Sequence, residues 1–173
     1  MKAEDAEKIY RLTQDAVRLA DTKAGILLAV DAALLGLAGA RWKEIFTAVG
    51  GMESAAEIVP LVTMLVMVLG LGISMFHLLA SVRPRLNLSR SSSLVYFAHI
   101  DKNYRGNPDG FYRRLAEIDE QGLLREYTDQ ILAISQLCTR KYIHSASALK
   151  WLGVGLVSWV VLTVTLACGS CGR

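Results

Sequence analysis

The sequence is poor in features that carry covalent chemistry. It has no H-E-x-x-H, no P-loop, no G-x-S-x-G and no paired carboxylates beside a histidine. His99 and Asp101 lie close together, but no nucleophile accompanies them. These absences leave an enzymatic reading little support, and an intramembrane hydrolase would carry more polar residues in its apolar segments. The chain is read as non-enzymatic. Cysteine is scarce as well, with three in 173 residues. Cys138 falls on an expected cytoplasmic helix and should stay reduced. Cys168 and Cys171 form a C-G-S-C with no two further ligands nearby in sequence, so no metal site is expected. In an oxidising space these two thiols could pair within or between chains. No cofactor is expected. The start of the chain lacks both a signal-peptide n-region and an A-x-A cleavage site in the right place, so a cleaved signal peptide is not expected. There is no internal repeat and no low-complexity tract.

Lysine and arginine are missing from three blocks, Ala24–Ala40, Ile58–Val82 and Trp151–Cys168. Each is 17–25 residues long, which together with 53% apolar residues marks membrane spans rather than a soluble core. The first block reaches roughly 25 Å at 1.5 Å per residue, just enough to cross a bilayer core. Asp31 interrupts it near the middle, where a carboxylate costs about 2.5–3.5 kcal/mol on insertion scales.

Charge is distributed unevenly. Residues 1–23 carry five basic and five acidic side chains, 41–57 two and three, and 83–150 eleven and seven. By the positive-inside rule 83–150 is cytoplasmic, which makes the N-terminus cytoplasmic and the C-terminus periplasmic. The expected organisation is a cytoplasmic helix over 1–23, spans over 24–40, 58–82 and 151–168, a periplasmic connection over 41–57, a cytoplasmic region over 83–150 and a periplasmic tail over 169–173. The chain is read as an all-α, three-span membrane protein.

Within 1–20, Ile9, Leu12, Ala16 and Leu19 share one face at helical spacing, the expected packing face. No Gly or Pro separates this helix from the first span, so one helix from about Ala3 to about Gly39 is expected. Asp21-Thr22-Lys23 then marks the membrane surface, with Lys23 able to snorkel to the headgroups. The 41–57 connection has room for a surface-lying amphipathic turn through Trp42, Ile45, Phe46 and Val49. Pro60 fits a first helical turn, and Pro84 with Arg83 and Arg85 ends the second span. Asn103–Gly110 reads as a turn, with Asp109 as the N-cap of the next helix. From Phe111 to Ala148 helical periodicity is nearly unbroken. Its stripe is Leu124, Tyr127, Ile131, Ile134, Cys138 and Tyr142, and nothing interrupts it at Lys150-Trp151. The first and third spans are therefore expected to continue long cytoplasmic helices.

An ordered set of motifs carries a resemblance. The lead ADTKAGILLAVDAALLG, a second span ending in RPR, the segment LVYFAHI and the late helix DQILAISQLCTRKY resemble the membrane effectors of Pycsar antiphage systems. The resemblance covers most of the chain. It implies pairing with a pyrimidine nucleotide cyclase that makes cyclic CMP or cyclic UMP on infection. It also implies a response in which the inner membrane is impaired and the cell stops growing or dies (abortive infection). Asp31 departs from the family pattern, which more often has a neutral polar residue, typically Asn, near that place.

The candidate residues keep two readings each. Asp31 either lines an ion pathway or makes an interhelical contact, and His77 either pairs with it or seeks the interface. Arg83 and Arg85 stop translocation or capture a nucleotide phosphate, with Arg90, Arg113 and Arg114 as competitors. Tyr96, Phe97 and His99 either stack on a pyrimidine ring or form the buried face of a short element. Asp21 and Lys23 are the joint between cytoplasm and membrane. Arg140 and Lys141 suit anionic headgroups, while Gln130 and Ser135 are solvated or packed between helices. Three spans of one chain cannot enclose a wide pore, so a homo-oligomer is expected, packed through Gly36, Gly39, Gly70, Gly72, Gly153 and Gly155. No nucleic-acid partner is expected. Two other functions remain open: a membrane scaffold recruiting a partner through 111–148, and a proton-linked channel or transporter subunit using Asp31.

Overall fold

The computed structural model describes residues 2–49, 55–83 and 93–171. Among them the chain is all α, without strands. The helices are α1 (Ala3–Ala40), α2 (Trp42–Val49), α3 (Ala55–Val82), α4 (Phe97–Tyr104), α5 (Pro108–Glu117) and α6 (Glu120–Cys171). Three stretches, Ala3–Ala40, Ile58–Val82 and Glu120–Cys168, are long and apolar enough to cross a membrane, the pattern of a multi-pass membrane protein.

Local chemistry explains most helix limits. Glu4 and Asp5 sit in the first turn of α1, where the helix dipole favours negative charge. No proline follows, and α1 runs on to Ala40. Pro60 lies inside α3, because α3 begins at Ala55, and not in a first turn as expected. There it removes one backbone donor from the helix. The turn after α4 uses Gly106 at φ 75°, a left-handed conformation that suits glycine. The cap of α5 is Asn107, not Asp109: the Asn107 side chain accepts from the Gly110 backbone N–H at 2.9 Å, and Pro108 occupies the first helical position. The expected unbroken run from Phe111 is cut at Ile118–Asp119. The Asp119 carboxylate accepts from the Gly122 N–H at 2.8 Å and starts α6 afresh. From there α6 passes Lys150-Trp151 without interruption.

Two compact units divide the chain. The first comprises Met1–Ala20 and Arg83–Lys141, the second Asp21–Val82 and Tyr142–Arg173. Both α1 and α6 supply residues to each.

In the second unit, Leu34 and Ala38 of α1, Ile45 of α2, Met67 and Leu71 of α3, and Leu152 and Leu162 of α6 form the main buried cluster, with Trp159 packed against it. Ala24, Leu78 and Ala148 form another. On α3 the buried residues Pro60, Met67, Leu71, Ser74, Leu78 and Ser81 lie on one face at multiples of the helical repeat. Bilayer lipid is as apolar as leucine, so close packing and hydrogen bonds, not hydrophobic burial, hold such a face together. Gly70 and Gly155 show how close that packing is. A Cβ on Gly70 would meet the Trp151 carbonyl oxygen at 3.3 Å, and one on Gly155 would meet Leu71 Cδ2 at 2.5 Å. Gly36, Gly39, Gly72 and Gly153 face open space within the chain. In α2 Ile45 turns inward, while the rings of Trp42 and Phe46 lie 4.3 Å apart and half exposed. The amphipathic stretch expected there is a full helix.

The first unit is built differently. Ala6 and Ala20 are buried on α1, and Tyr10 meets Tyr127 of α6 at 5.6 Å between ring centroids. Gln130 and Lys141 are buried on α6. The expected packing face of α1 is not the one used: Ile9, Leu12 and Leu19 are exposed, Leu12 at 69%. Tyr142 of the expected α6 stripe is 40% exposed. The inward residues of α1 are one position along, at Ala6, Tyr10, Thr13, Val17 and Ala20.

Candidate functional site

Asp31 is fully buried in the second unit. One turn of α3 answers it: Ser74 Oγ donates to Asp31 Oδ2 at 2.7 Å. Asp31 Oδ1 has no partner among the described residues. A carboxyl with one satisfied oxygen in an apolar bundle ties α1 to α3 and keeps one acceptor or donor position free. Asp31 therefore makes an interhelical contact, and its partner is Ser74, not His77.

His77 pairs elsewhere. Its Nδ1 lies 3.4 Å from Nδ1 of His144 on α6, with ring centroids 5.7 Å apart and planes at 41°. Both rings are part-buried. Beside it, Ser145 Oγ is buried and has no partner among the described residues. Lys23 places its ammonium 5.7 Å from the Tyr142 ring centroid, close enough for a cation–π attraction. Asp21 is half-buried and engaged in an interaction of its own.

The aromatic-histidine segment folds as a compact corner of the first unit. Ser93 Oγ accepts from the N–H groups of Val95 and Tyr96 at 3.2 and 3.3 Å, the local capping habit of serine. The Ser93 N–H donates to His99 Nδ1 at 3.1 Å, and His99 is 3% exposed. That bond fixes His99 Nδ1 as an acceptor. Tyr96 sits edge-on to His99 at 5.1 Å and lies 5.0 Å from Phe97. Glu126 of α6 anchors the corner by accepting from the Leu94 N–H at 3.1 Å. Phe97 alone of the three projects outward, 68% exposed.

The cationic candidates are scattered. Arg113 donates to the Asp109 carbonyl at 3.4 Å within its own helix, and Arg114 is exposed beside it. Tyr104 and Phe111, 5.2 Å apart, join α4 to α5. Arg83 is exposed at the end of α3, while Arg85 and Arg90 lie outside the described residues. The structure thus brings Tyr96, Phe97 and His99 together and shows no contact from Arg113 or Arg114 to them. Lys141 is buried, unlike a headgroup contact, whereas Arg140 is exposed. The Cys171 side chain lies outside the described residues, so the C-G-S-C pairing has no geometry; Cys168 is exposed.

Outside the spans, Tyr10, Asp101, Arg105 and Tyr127 have shifted titration. Burial, then the Glu7 carboxylate and Tyr10, push the Tyr127 phenol up from its ordinary value. On α4 a hydrogen bond from Arg105 holds the Asp101 carboxyl below its usual range. Among the described residues no group of three or more His, Cys, Asp or Glu could hold a metal ion.

Sequence reading missed Ser74 as a partner, and His144, Ser93 and Glu126 altogether. Ser74 is separated from Asp31 by 43 positions and Glu126 from Leu94 by 32, so no local spacing could have joined them. The histidine pair had a weak signal in the chain: two of its three histidines sit near the same expected end of a span.

A family model described as the Pycsar effector protein domain matches residues 5–168. No curated protein and no solved structure matches the chain.

Proposed function

The chain belongs to the Pycsar effector family of transmembrane antiphage-defence proteins paired with a cyclase system, and on that premise we propose that it senses cyclic CMP or cyclic UMP and then impairs the inner membrane. The messenger would come from the partner cyclase, and the damage would end the infected cell's growth before phage spreads. The protein acts as a non-enzymatic effector, with its N-terminus in the cytoplasm and its C-terminus in the periplasm. The organisation proposed at the outset follows: spans over 24–40, 58–82 and 151–168, a periplasmic connection over 41–57 and cytoplasmic parts over 1–23 and 83–150.

The observation that carries this reading is the continuity of α1 and α6. Each runs from polar, charged sequence into a span without a break. A ligand held in 83–150 can then act on the spans through helices that already cross the membrane surface near Asp21 and Lys23. For the ligand, exposed Phe97 and neighbouring Tyr96 offer a face on which a pyrimidine stacks. His99 holds that corner in place. The single phosphate charge is taken by a guanidinium from Arg83, Arg85, Arg90, Arg113 or Arg114. Permeation needs several chains, and the protein works as a homo-oligomer.

The test is dye release from liposomes holding the purified full-length protein. Release should rise on adding cyclic CMP or cyclic UMP and stay flat with the linear monophosphates. Phe97→Ala, at an exposed position, should weaken the response about 10-fold or more without unfolding the chain, the loss of one stacked base at about 1–3 kcal/mol. Absence of nucleotide-dependent release across a wide concentration range would refute the reading. A second reading draws on the unpartnered Asp31 Oδ1: a proton-linked channel subunit. It expects release that depends on pH, ignores nucleotide and disappears in Asp31→Asn.

A further inference from the structure

We propose that the outward face of α1, led by Ile9, Leu12 and Leu19, is the surface on which a second copy of this chain docks, α1 against α1 in parallel. The contact belongs within the homo-oligomer proposed above; it rests on the membrane organisation given there and not on nucleotide sensing.

Two seams run along α1. The inward one begins at Ala6, Tyr10, Thr13, Val17 and Ala20 and faces the chain's own interior. The outward one begins at Ile9, Leu12, Ala16 and Leu19, spaced 3–4–3. It passes Lys23 without a slip and continues as Ile26, Val30, Ala33 and Leu37, spaced 4–3–4. At 3.6 residues per turn the two seams stand about 100° apart round the helix. The outward residues are exposed, save half-buried Ala16, with Leu12 at 69% and Ile26 at 60%. A leucine exposed singly is ordinary. An a/d register held over four heptads, from Ile9 to Leu37, is the mark of a helix that packs on another helix. Lys23, the charged member of the row, has its ammonium 5.7 Å from the Tyr142 ring centroid, so its charge is engaged within the chain.

What covers this face follows from where it runs. From Ile26 onward lipid can lie against it. From Ile9 to Leu19 it runs among Lys8, Arg11, Asp15 and Arg18, and the Arg11 and Arg18 side chains are 73% and 80% exposed. Water surrounds that part, and lipid cannot cover it. The occupant must be one helix that stays apolar, in the same register, on both sides of the membrane surface. The α1 helix of a second copy meets that requirement. Copies of one chain insert the same way up, so two α1 helices meet in parallel, and a seam on a two-fold axis faces its own image. A Cβ on Gly36, which flanks the seam, would meet nothing within 4 Å in its own chain, clearance that a second helix can use in lipid.

The experiment uses the full-length protein in liposomes, with Cys138, Cys168 and Cys171 replaced by Ser. Leu12→Cys and Leu19→Cys should each cross-link to their own copy on mild oxidation, because a parallel seam brings equal positions within the about 4.4–6.8 Å between Cα atoms that a disulfide needs. Arg11→Cys and Arg18→Cys, exposed but off the seam, should not. In detergent micelles Leu12→Ala should weaken association at least about 10-fold, the burial of one leucine, with the helical circular-dichroism spectrum unchanged. A water-soluble maleimide should label Arg11→Cys and Arg18→Cys, which tests the membrane organisation apart from the seam; no labelling would remove the premise that water surrounds it. Equal cross-linking at all four positions, or none, would overturn the docking face, and oligomers that persist without seam cross-links would do so while leaving the homo-oligomer standing. Cross-links from positions 12 and 19 to a different protein in cell membranes, or association that survives Leu12→Ala with Leu19→Ala, would overturn it too.

Discussion

The two units use the same pair of helices for opposite kinds of contact. In the unit of Asp21–Val82 and Tyr142–Arg173 the spans are apolar, and four of the polar side chains within them turn inward: Asp31, Ser74, Ser81 and Ser158 are all buried. In the unit of Met1–Ala20 and Arg83–Lys141 charged residues abound, yet leucines at 12 and 19 are exposed while Ala6, Ala20, Gln130 and Lys141 are buried and Tyr10 and Tyr127 part-buried. Hydropathy thus marks the inner face by its minority residue in the first case and fails to mark it in the second. Where lipid is the solvent, a buried hydroxyl or carboxyl has somewhere to be satisfied that lipid cannot offer. Where water is the solvent, small and amphipathic residues let two helices approach, and exposed single leucines cost little.

The comparison can be broken most forcefully at the α3–α6 contact. Gly155→Val should destabilise the second unit by about 2–3 kcal/mol, because its side chain would drive into Leu71. Gly153→Val, with open space around it, should change stability by less than about 0.5 kcal/mol. Thermal unfolding in detergent compares the two, and equal effects would mean that the tight crossing is not what holds this unit. Next in size is the polar pair. Asp31→Ala should cost about 0.6–1.7 kcal/mol, the range of interhelical hydrogen bonds in membranes, and Ser74→Ala a similar amount. The double variant should cost little more than either single change, the mark of one shared interaction. The smallest effect belongs to the first unit. With the Tyr127 pKa raised on folding, the unfolded phenol ionises first as pH rises. The stability this contributes is complete below the unfolded value of about 10 and is lost as pH climbs through the raised folded value. Tyr127→Phe should flatten that alkaline decline in circular-dichroism melts.

Much of the fold was written in runs of sequence. The three apolar blocks and the missing breaks after Ala20 and at Lys150-Trp151 are local properties, and α1 and α6 follow them. The break at Ile118–Asp119 was equally local, an aspartate three residues before a glycine, but the strong periodicity on either side hid it. Asn107 overruled Asp109 as a cap because Pro108 needs the first helical position. The site was less accessible. Asp31 stood out by its cost, while Ser74 looked like a small residue on a packing face; only folding α3 back along α1 turns it into a donor. The inward face of α1 between residues 6 and 20 was misread because apolar residues were assumed to turn inward, and here the alanines and Tyr10 do.

Aromatic residues are partitioned in a way that suits optical work. All three tryptophans, Trp42, Trp151 and Trp159, belong to the second unit, and five of the six tyrosines, Tyr10, Tyr96, Tyr104, Tyr112 and Tyr127, belong to the first. Tryptophan emission, excited beyond the tyrosine band, therefore reports on the second unit alone. Half-exposed Trp42 and core-packed Trp159 supply an outer and an inner reporter. The protein carries its own dyes, and a change in its membrane-crossing helices can be followed without attaching a label.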